Sequence, residues 1–161
     1  METDPLVKTK KIIERTAARA IIFKDGDILM VSNNKGDVKF PGGGLEMNET
    51  HGEAICREVK EETGYLVSDI MSKVGLVTER RIDIFEHDCL FEMNSHYYLC
   101  KIHGAPEAQS LSDYEIEQEF VPIWINIIEA IGINEKAIQR ETRNPWVARE
   151  LYVLKQLKEC F

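Results

Sequence analysis

Apolar residues alternate with polar ones in several short stretches and return at helical spacing in three others. RTAARAIIF (Arg15–Phe23) and ILMVSN (Ile28–Asn33) read as strands around a tight Asp25-Gly26 turn. SKVGLVTERRI and CLFEMNSHYYLCKI read as two more, joined by the polar span Asp83–Asp88, and FVPIWI reads as a short buried strand. Between the first and second strand pairs the spacing predicts a helix. Thr50 and Glu53 form a T-x-x-E capping pattern, and Ile55, Cys56, Val59 and Thr63 fall on one side as the core stripe. Glu53 and Arg57 are spaced to pair, and Gly64 stands where a helix ends. Asn126 caps a short helix, NIIEAIG, that Gly132 ends, and Asn144-Pro145 opens a last helix with Val147, Leu151 and Leu154 as its stripe. GAPEAQSLSDYEIEQ reads as a polar loop. Strands and helices alternating loosely, with hairpins among them, predict an α/β fold: a mixed sheet covered by helices on both faces. Residues 1–14 read as a flexible lead-in and 15–161 as a single domain, with no repeat, low-complexity tract or linker.

Composition narrows the function classes. The 161 residues carry a net charge of −8, which disfavours nucleic acid and anionic membranes as partners. METDPLVKTKKIIERT has no continuous apolar run, and VPIWINIIEAIGI is too short, and broken by Asn126 and Glu129, to span a bilayer. The four cysteines show no CxxC or zinc-ligand spacing, so they read as free thiols of a reducing cytosol, and the expected location is cytoplasmic. An acidic protein that handles an anionic substrate needs a local cation, either an Arg/Lys cluster or a metal.

That requirement focuses on FPGGGLEMNETHGEAICREVKEETGY, Phe40 to Tyr65. Its helix places Glu58, Glu61 and Glu62 together beside a glycine turn, although like charges at this spacing cost about 0.2–0.5 kcal/mol per pair. Carboxylates on one helical face next to backbone carbonyls make an all-oxygen site, suited to magnesium or manganese rather than to soft metals. Taken alone, EVKEETG would be a solvated surface helix. The residues around it change that reading.

The stretch resembles the Nudix box of the Nudix hydrolases: Gly, five residues, Glu, seven residues, then Arg-Glu-aliphatic-x-Glu-Glu-x-Gly and a bulky apolar residue. Here these are Gly43, Glu49, Arg57, Glu58, Val59, Glu61, Glu62 and Gly64, with Tyr65 in place of the usual Ile, Leu or Val. Seven fixed identities coincide by chance on the order of once in 10⁸ windows. The resemblance implies an α/β/α sandwich and metal-assisted hydrolysis of a nucleoside diphosphate linked to another moiety. It implies Glu58, Glu61 and Glu62 as metal ligands, helped by a carbonyl of Gly42 or Gly43, with Mg2+ as the ion and Mn2+ as a substitute. Glu58 would orient or deprotonate the attacking water, while Arg57 and Glu49 steady the carboxylates.

Family members often take a further carboxylate from a later loop. SDYEIEQEF offers Asp113, Glu115, Glu117 and Glu119; Glu115 is the first choice, Glu117 the next, and Glu79 an outside candidate. For substrate phosphates, Arg19, Lys39 and the glycines Gly42 and Gly44 are the expected contacts, with Lys35, Arg80 and Arg81 behind them. Phe85, Phe91, Tyr97 and Tyr98 could stack a base, although aromatics at strand spacing are more often core. His51 reads as an exposed polar residue, and Trp124 and Trp146 as anchors of helices to the sheet. Patterns expected of coenzyme A, NADH, ADP-ribose and diadenosine polyphosphate hydrolases are absent. A generic nucleotide-processing member remains, with nucleoside triphosphates among its candidate substrates. Two rivals stand beside it, a hydrolase of RNA 5′ ends and a non-catalytic nucleotide sensor. Oligomeric state is open, a homodimer included.

Overall fold

The computed structural model describes residues 11–82 and 89–161. Its strands are β1 (Lys11–Ile21), β2 (Phe23–Lys24), β3 (Asp27–Ser32), β4 (Val38–Lys39), β5 (Gly42–Gly44), β6 (Leu66–Ile82), β7 (Cys89–His103) and β8 (Val121–Ile125). Its helices are α1 (His51–Thr63), α2 (Asp113–Glu117), α3 (Ile127–Ala137) and α4 (Val147–Cys160). The strands divide between two four-stranded sheets. One is mixed, in the order β5-β1-β7-β6, with β1 and β7 parallel; the other is antiparallel, with β3 bonded to β2, β4 and β8.

The alternation of β1 builds the layers. Ala18, Ala20 and Ile22 face one way and pack with Leu29 against Ala54, Ile55 and Val59 of α1. Ile21 faces the other way and joins Ile28, Met30, Phe40 and Tyr97 against Ile131, Leu151 and Leu154 of α3 and α4. Helices therefore cover both faces, an α/β/α sandwich. The hairpin before β3 turns at Asp25 and Gly26, both with positive φ (52° and 85°), the conformation that suits a two-residue hairpin.

Several boundaries differ from expectation. β1 begins at Lys11 rather than Arg15, because Lys11–Glu14 pair with Cys89–Glu92 of β7; Met1–Lys10 and the span Asp83–Asp88, with Phe85, lie outside the described residues. β6 starts at Leu66, not Ser72, and three register shifts along it blur the alternation that would have revealed its first half. Gly132 does not end α3. A mid-helix glycine costs about 1 kcal/mol, but beyond it Asn134 is buried, donating to Val38 O at 2.9 Å and accepting from Val38 N at 3.0 Å, and Ala137 is buried too. The polar loop contains α2, whose Ser112 and Glu115 form a full capping box. Cys56 is exposed rather than part of the core stripe. Glu53 accepts from the Thr50 hydroxyl at 2.9 Å instead of pairing with Arg57. Among the described residues, no helix is long and apolar enough to cross a membrane.

Candidate active site

The carboxylates of α1 are held at three depths. Thr50 caps the helix by accepting from Glu53 N, and Gly64 ends it at φ 79°. Between these ends Ile55, Val59 and Thr63 face inward, and Glu62 falls on the same buried side. Its side chain has 0% exposure. Glu62 Oε1 accepts from Gly42 N at 2.8 Å, while Oε2 receives Lys39 Nζ at 2.5 Å. Burial lifts this carboxyl to about 7 against the pull of Lys39, and Glu58 adds to the rise. Glu58, 14% exposed, lies against the backbone of Gly43, where a Cβ would come within 2.7 Å of Oε1. A Cβ there would push the Glu58 carboxylate aside. Burial raises Glu58 too, opposed chiefly by Arg57. Glu61 is 39% exposed, and among the described residues its carboxylate reaches only Arg57 Nη1, at 3.4 Å.

Arg57 ties these groups to the glycine turn. Its Nε and Nη2 donate to both oxygens of Glu49 at 2.7 and 2.8 Å, Nη1 donates to Glu58 at 2.8 Å, and Nη2 reaches Gly44 O at 3.1 Å. The fork on Glu49 is bidentate, the strong form of this pair. With the Glu46 N–H it holds the Glu49 carboxyl down to about 2, from 4.5. A depressed carboxyl contributes stability above its unfolded value and loses it as the folded group takes a proton. The urea midpoint of the metal-free protein is therefore expected to exceed that of Glu49→Gln near neutrality, with the gap closing between pH 4.5 and 2. A gap that did not change with pH would show that the pair adds nothing to folding.

A fourth carboxylate arrives from the far side of the chain. The loop after β7 docks on the end of α1: Glu107 N donates to Gly64 O at 2.8 Å and Ser110 N to Glu61 O at 2.8 Å. Gln109 Nε2 bridges Glu62 O at 2.6 Å and Phe120 O at 3.0 Å. The loop leads into α2, and one oxygen each from Glu58, Glu62 and Glu115 lie within 4.8 Å of one another. Glu115 also accepts from Ser112 N at 2.9 Å, which fixes its rotamer. Glu61 is not in this group.

The other predicted residues separate. Asp113, Glu117 and Glu119 are exposed, and Glu79 accepts from Arg149 at 2.9 Å. Lys39 does not stand open to a passing substrate: its buried ammonium bridges Glu62 and Gly42 O (3.3 Å) below the ring of Phe120. Arg19 is buried on β1, with Nε donating to Ser95 Oγ at 3.1 Å. Lys35 is exposed, and its carbonyl accepts from Arg140. Tyr97 belongs to the core, whereas Phe91 lies beneath the Arg81 guanidinium at 4.7 Å. His51 is partly buried, 2.7 Å from Tyr98 Oη. Tyr65 is explained by its hydroxyl, which accepts from Trp124 Nε1 at 3.0 Å.

Sequence reasoning missed two groups that shape the turn. Glu150, fully buried on α4, accepts from Phe40 N at 3.2 Å and from Tyr97 Oη at 2.9 Å, holding the residue before Pro41. Asp37, also buried, accepts from Asn33, Asn144 and Trp146 at 2.9, 2.7 and 2.8 Å. Neither has a local spacing signal. By contrast, the S-x-x-E of Ser112–Glu115 is a signal that would have found α2.

Comparison with known proteins follows this geometry. Residues 14–149 match the model of the NUDIX domain. An ADP-ribose pyrophosphatase of Methanocaldococcus jannaschii is 45% identical over 64 residues, 37% of this chain and 37% of that relative's length. Among solved structures, a NUDIX hydrolase from Nitrosomonas europaea superposes with a TM-score of 0.62 at 19% identity, covering 87% of each chain. The ORF135 protein of E. coli gives 0.60 at 21% identity, over 98% of this chain and 97% of that one. At these identities the structural likeness speaks for the fold.

Proposed function

The chain belongs to the NUDIX domain family, and we propose that it hydrolyses the diphosphate linkage of a nucleoside diphosphate joined to another group, using Mg2+ or, in its place, Mn2+. The observation that carries this reading is the meeting of Glu58, Glu62 and Glu115, from two distant parts of the chain, within 4.8 Å. The donor set fits a hard cation: three carboxylates, with no thiolate or imidazole in the group. Lys39 Nζ, between Glu62 Oε2 and Gly42 O, supports the fit, since the pocket already draws in positive charge. Glu58, Glu62 and Glu115 would hold the ion, with Gly43 O beside them and Glu61 at the exposed margin.

When bound, the ion supplies a more acidic water and neutralises charge on the bridging oxygen. Glu58 would orient the attacking water and accept its proton. Its burial raises its basicity, which favours the transfer. Arg57, fixed by Glu49, keeps the Glu58 carboxylate aimed and lends it compensating charge. Gly42 and Gly44 shape the turn that the substrate diphosphate approaches. A groove of about 680 Å³ beside Gly44, walled by Arg15, Thr16, Leu45, Phe91 and Met93, offers room for the nucleoside. The substrate is a small molecule and the reaction cytoplasmic on this reading; the acidic surface disfavours RNA ends.

The test is product release from ADP-ribose, other nucleoside diphosphate derivatives and nucleoside triphosphates, each with Mg2+, Mn2+ or EDTA. Metal-dependent cleavage of one class is expected. Tight nucleotide binding without turnover would replace the hydrolase with a sensor.

A further inference from the structure

Four arginines border one cavity of about 250 Å³. Arg19 reaches it from β1, whose backbone pairs Arg19 with Gly42. Arg149 reaches it from the first turn of α4, and Arg80 and Arg81 stand on β6 at its rim, with Phe91 and Trp146 as further walls. The two inner guanidiniums are almost wholly buried, at 5% and 7% exposure.

Their carboxylate partners, Glu79 and Glu150, both bond to Arg149. Arg149 donates to Glu79 at 2.9 Å and to Glu150 at 3.2 Å, but its buried Nε has no partner among the described residues. Arg19 donates through Nε to the neutral Ser95, and among the described residues no carboxylate lies within ion-pair distance of it. Arg149 acts on Arg19 as a like charge, which Glu150 and Glu62 offset only from beyond ion-pair distance. The amino end of α4, where Pro145 and Trp146 also line the cavity, carries no side-chain cap, and its dipole adds positive potential there, set against Glu150 in the same turn. A buried guanidinium without a direct ion pair is costly, and a cavity opening onto it is the place for a mobile anion.

We propose that this cavity is a metal-independent anion site that receives a phosphate group of the substrate beyond the scissile diphosphate. The substrate class that follows, on the hydrolase reading above, is a compound with an extra anionic group. A nucleoside 5′-triphosphate is one such compound, and a nucleoside diphosphate bearing a phosphorylated arm is another; both are favoured over one ending in an uncharged sugar. Arg19 and Arg149 bind that group from below, and Arg80 and Arg81 close over it from the rim. Among the described residues lining it, Glu79 is the one acid and is already taken by Arg149, while Arg80 on the rim bonds to Glu92 at 2.8 Å and can turn from it toward an anion.

The experiment has two arms. In EDTA, inorganic phosphate and tripolyphosphate are titrated into the full chain and the melting temperature is followed. The wild type should rise with anion, Arg19→Met should not, and the rim double variant Arg80→Gln/Arg81→Gln should need at least tenfold more anion. With metal, kcat/KM for a triphosphate over that for ADP-ribose should exceed one and fall at least tenfold in either variant. No anion effect in the wild type, or an equal effect in Arg19→Met, overturns the site. An anion effect with unchanged selectivity makes it a site for free phosphate and overturns the substrate class. Because the first arm needs no turnover, failure of the hydrolase reading would leave it intact.

Discussion

Glu58→Gln and Glu115→Gln are each expected to cut metal-dependent turnover by a factor of about 10² or more, while Glu61→Gln costs far less. The three residues look alike in sequence, but only the first two place an oxygen in the cluster with Glu62. The Glu61 side chain is more than a third exposed and, among the described residues, pairs with Arg57 alone. Melting curves separate metal loss from unfolding. A ligand at 100 times its Kd adds about 2.7 kcal/mol of stability, so magnesium should raise the wild-type midpoint and do so much less in Glu58→Gln and Glu115→Gln. In EDTA the order reverses for Glu58→Gln. Burial already disfavours the ionised Glu58, so a neutral amide of the same shape should match or exceed the wild type. Equal losses in Glu61→Gln and Glu115→Gln would mean that the cluster seen here is not the metal set.

The contrast also marks what could be read from the chain. The box helix was legible because its signals are local: a cap, a stripe and a glycine stop within about fifteen residues. The depth of each glutamate was not, because depth depends on what lies opposite. Glu62 is buried because Lys39 and Gly42 meet it, and Glu61, one residue earlier, faces outward. Glu115 could be preferred among four loop carboxylates, but its place depends on contacts between residues 107–110 and the end of α1. Such long-range docking leaves no periodic trace. The same holds for Glu150 and Arg149, which interrupt a helical stripe and look like ordinary surface charges until Tyr97, Phe40 and Glu79 are placed beside them. Gly132 failed in the opposite sense: a true local cost was outweighed by the burial of Asn134 and Ala137.

Two glycine-to-alanine changes test that division directly, with opposite expected signs. At Gly64 the backbone has φ 79°, and an added Cβ would come within 1.9 Å of the Glu107 carbonyl oxygen. Strain in the left-handed region and displacement of the docked loop together should cost about 2–4 kcal/mol, a fall in melting temperature of roughly 5–15 °C for a chain of this size. At Gly132, within α3, nothing lies within 4 Å of the added carbon. Gly132→Ala should stabilise by about 0.5–1 kcal/mol. Gly64→Ala should also weaken magnesium binding, although Gly64 is no ligand, because the loop that must move is the one leading to Glu115. Its apparent magnesium affinity, measured well below the lowered melting temperature, is expected to drop with that of Glu115→Gln. If Gly64→Ala lost stability but bound magnesium as the wild type does, the docked loop would be a structural clasp with no part in placing the carboxylate. A shared loss would make the last glycine of the box the element that joins its helix to the carboxylate supplied from outside it.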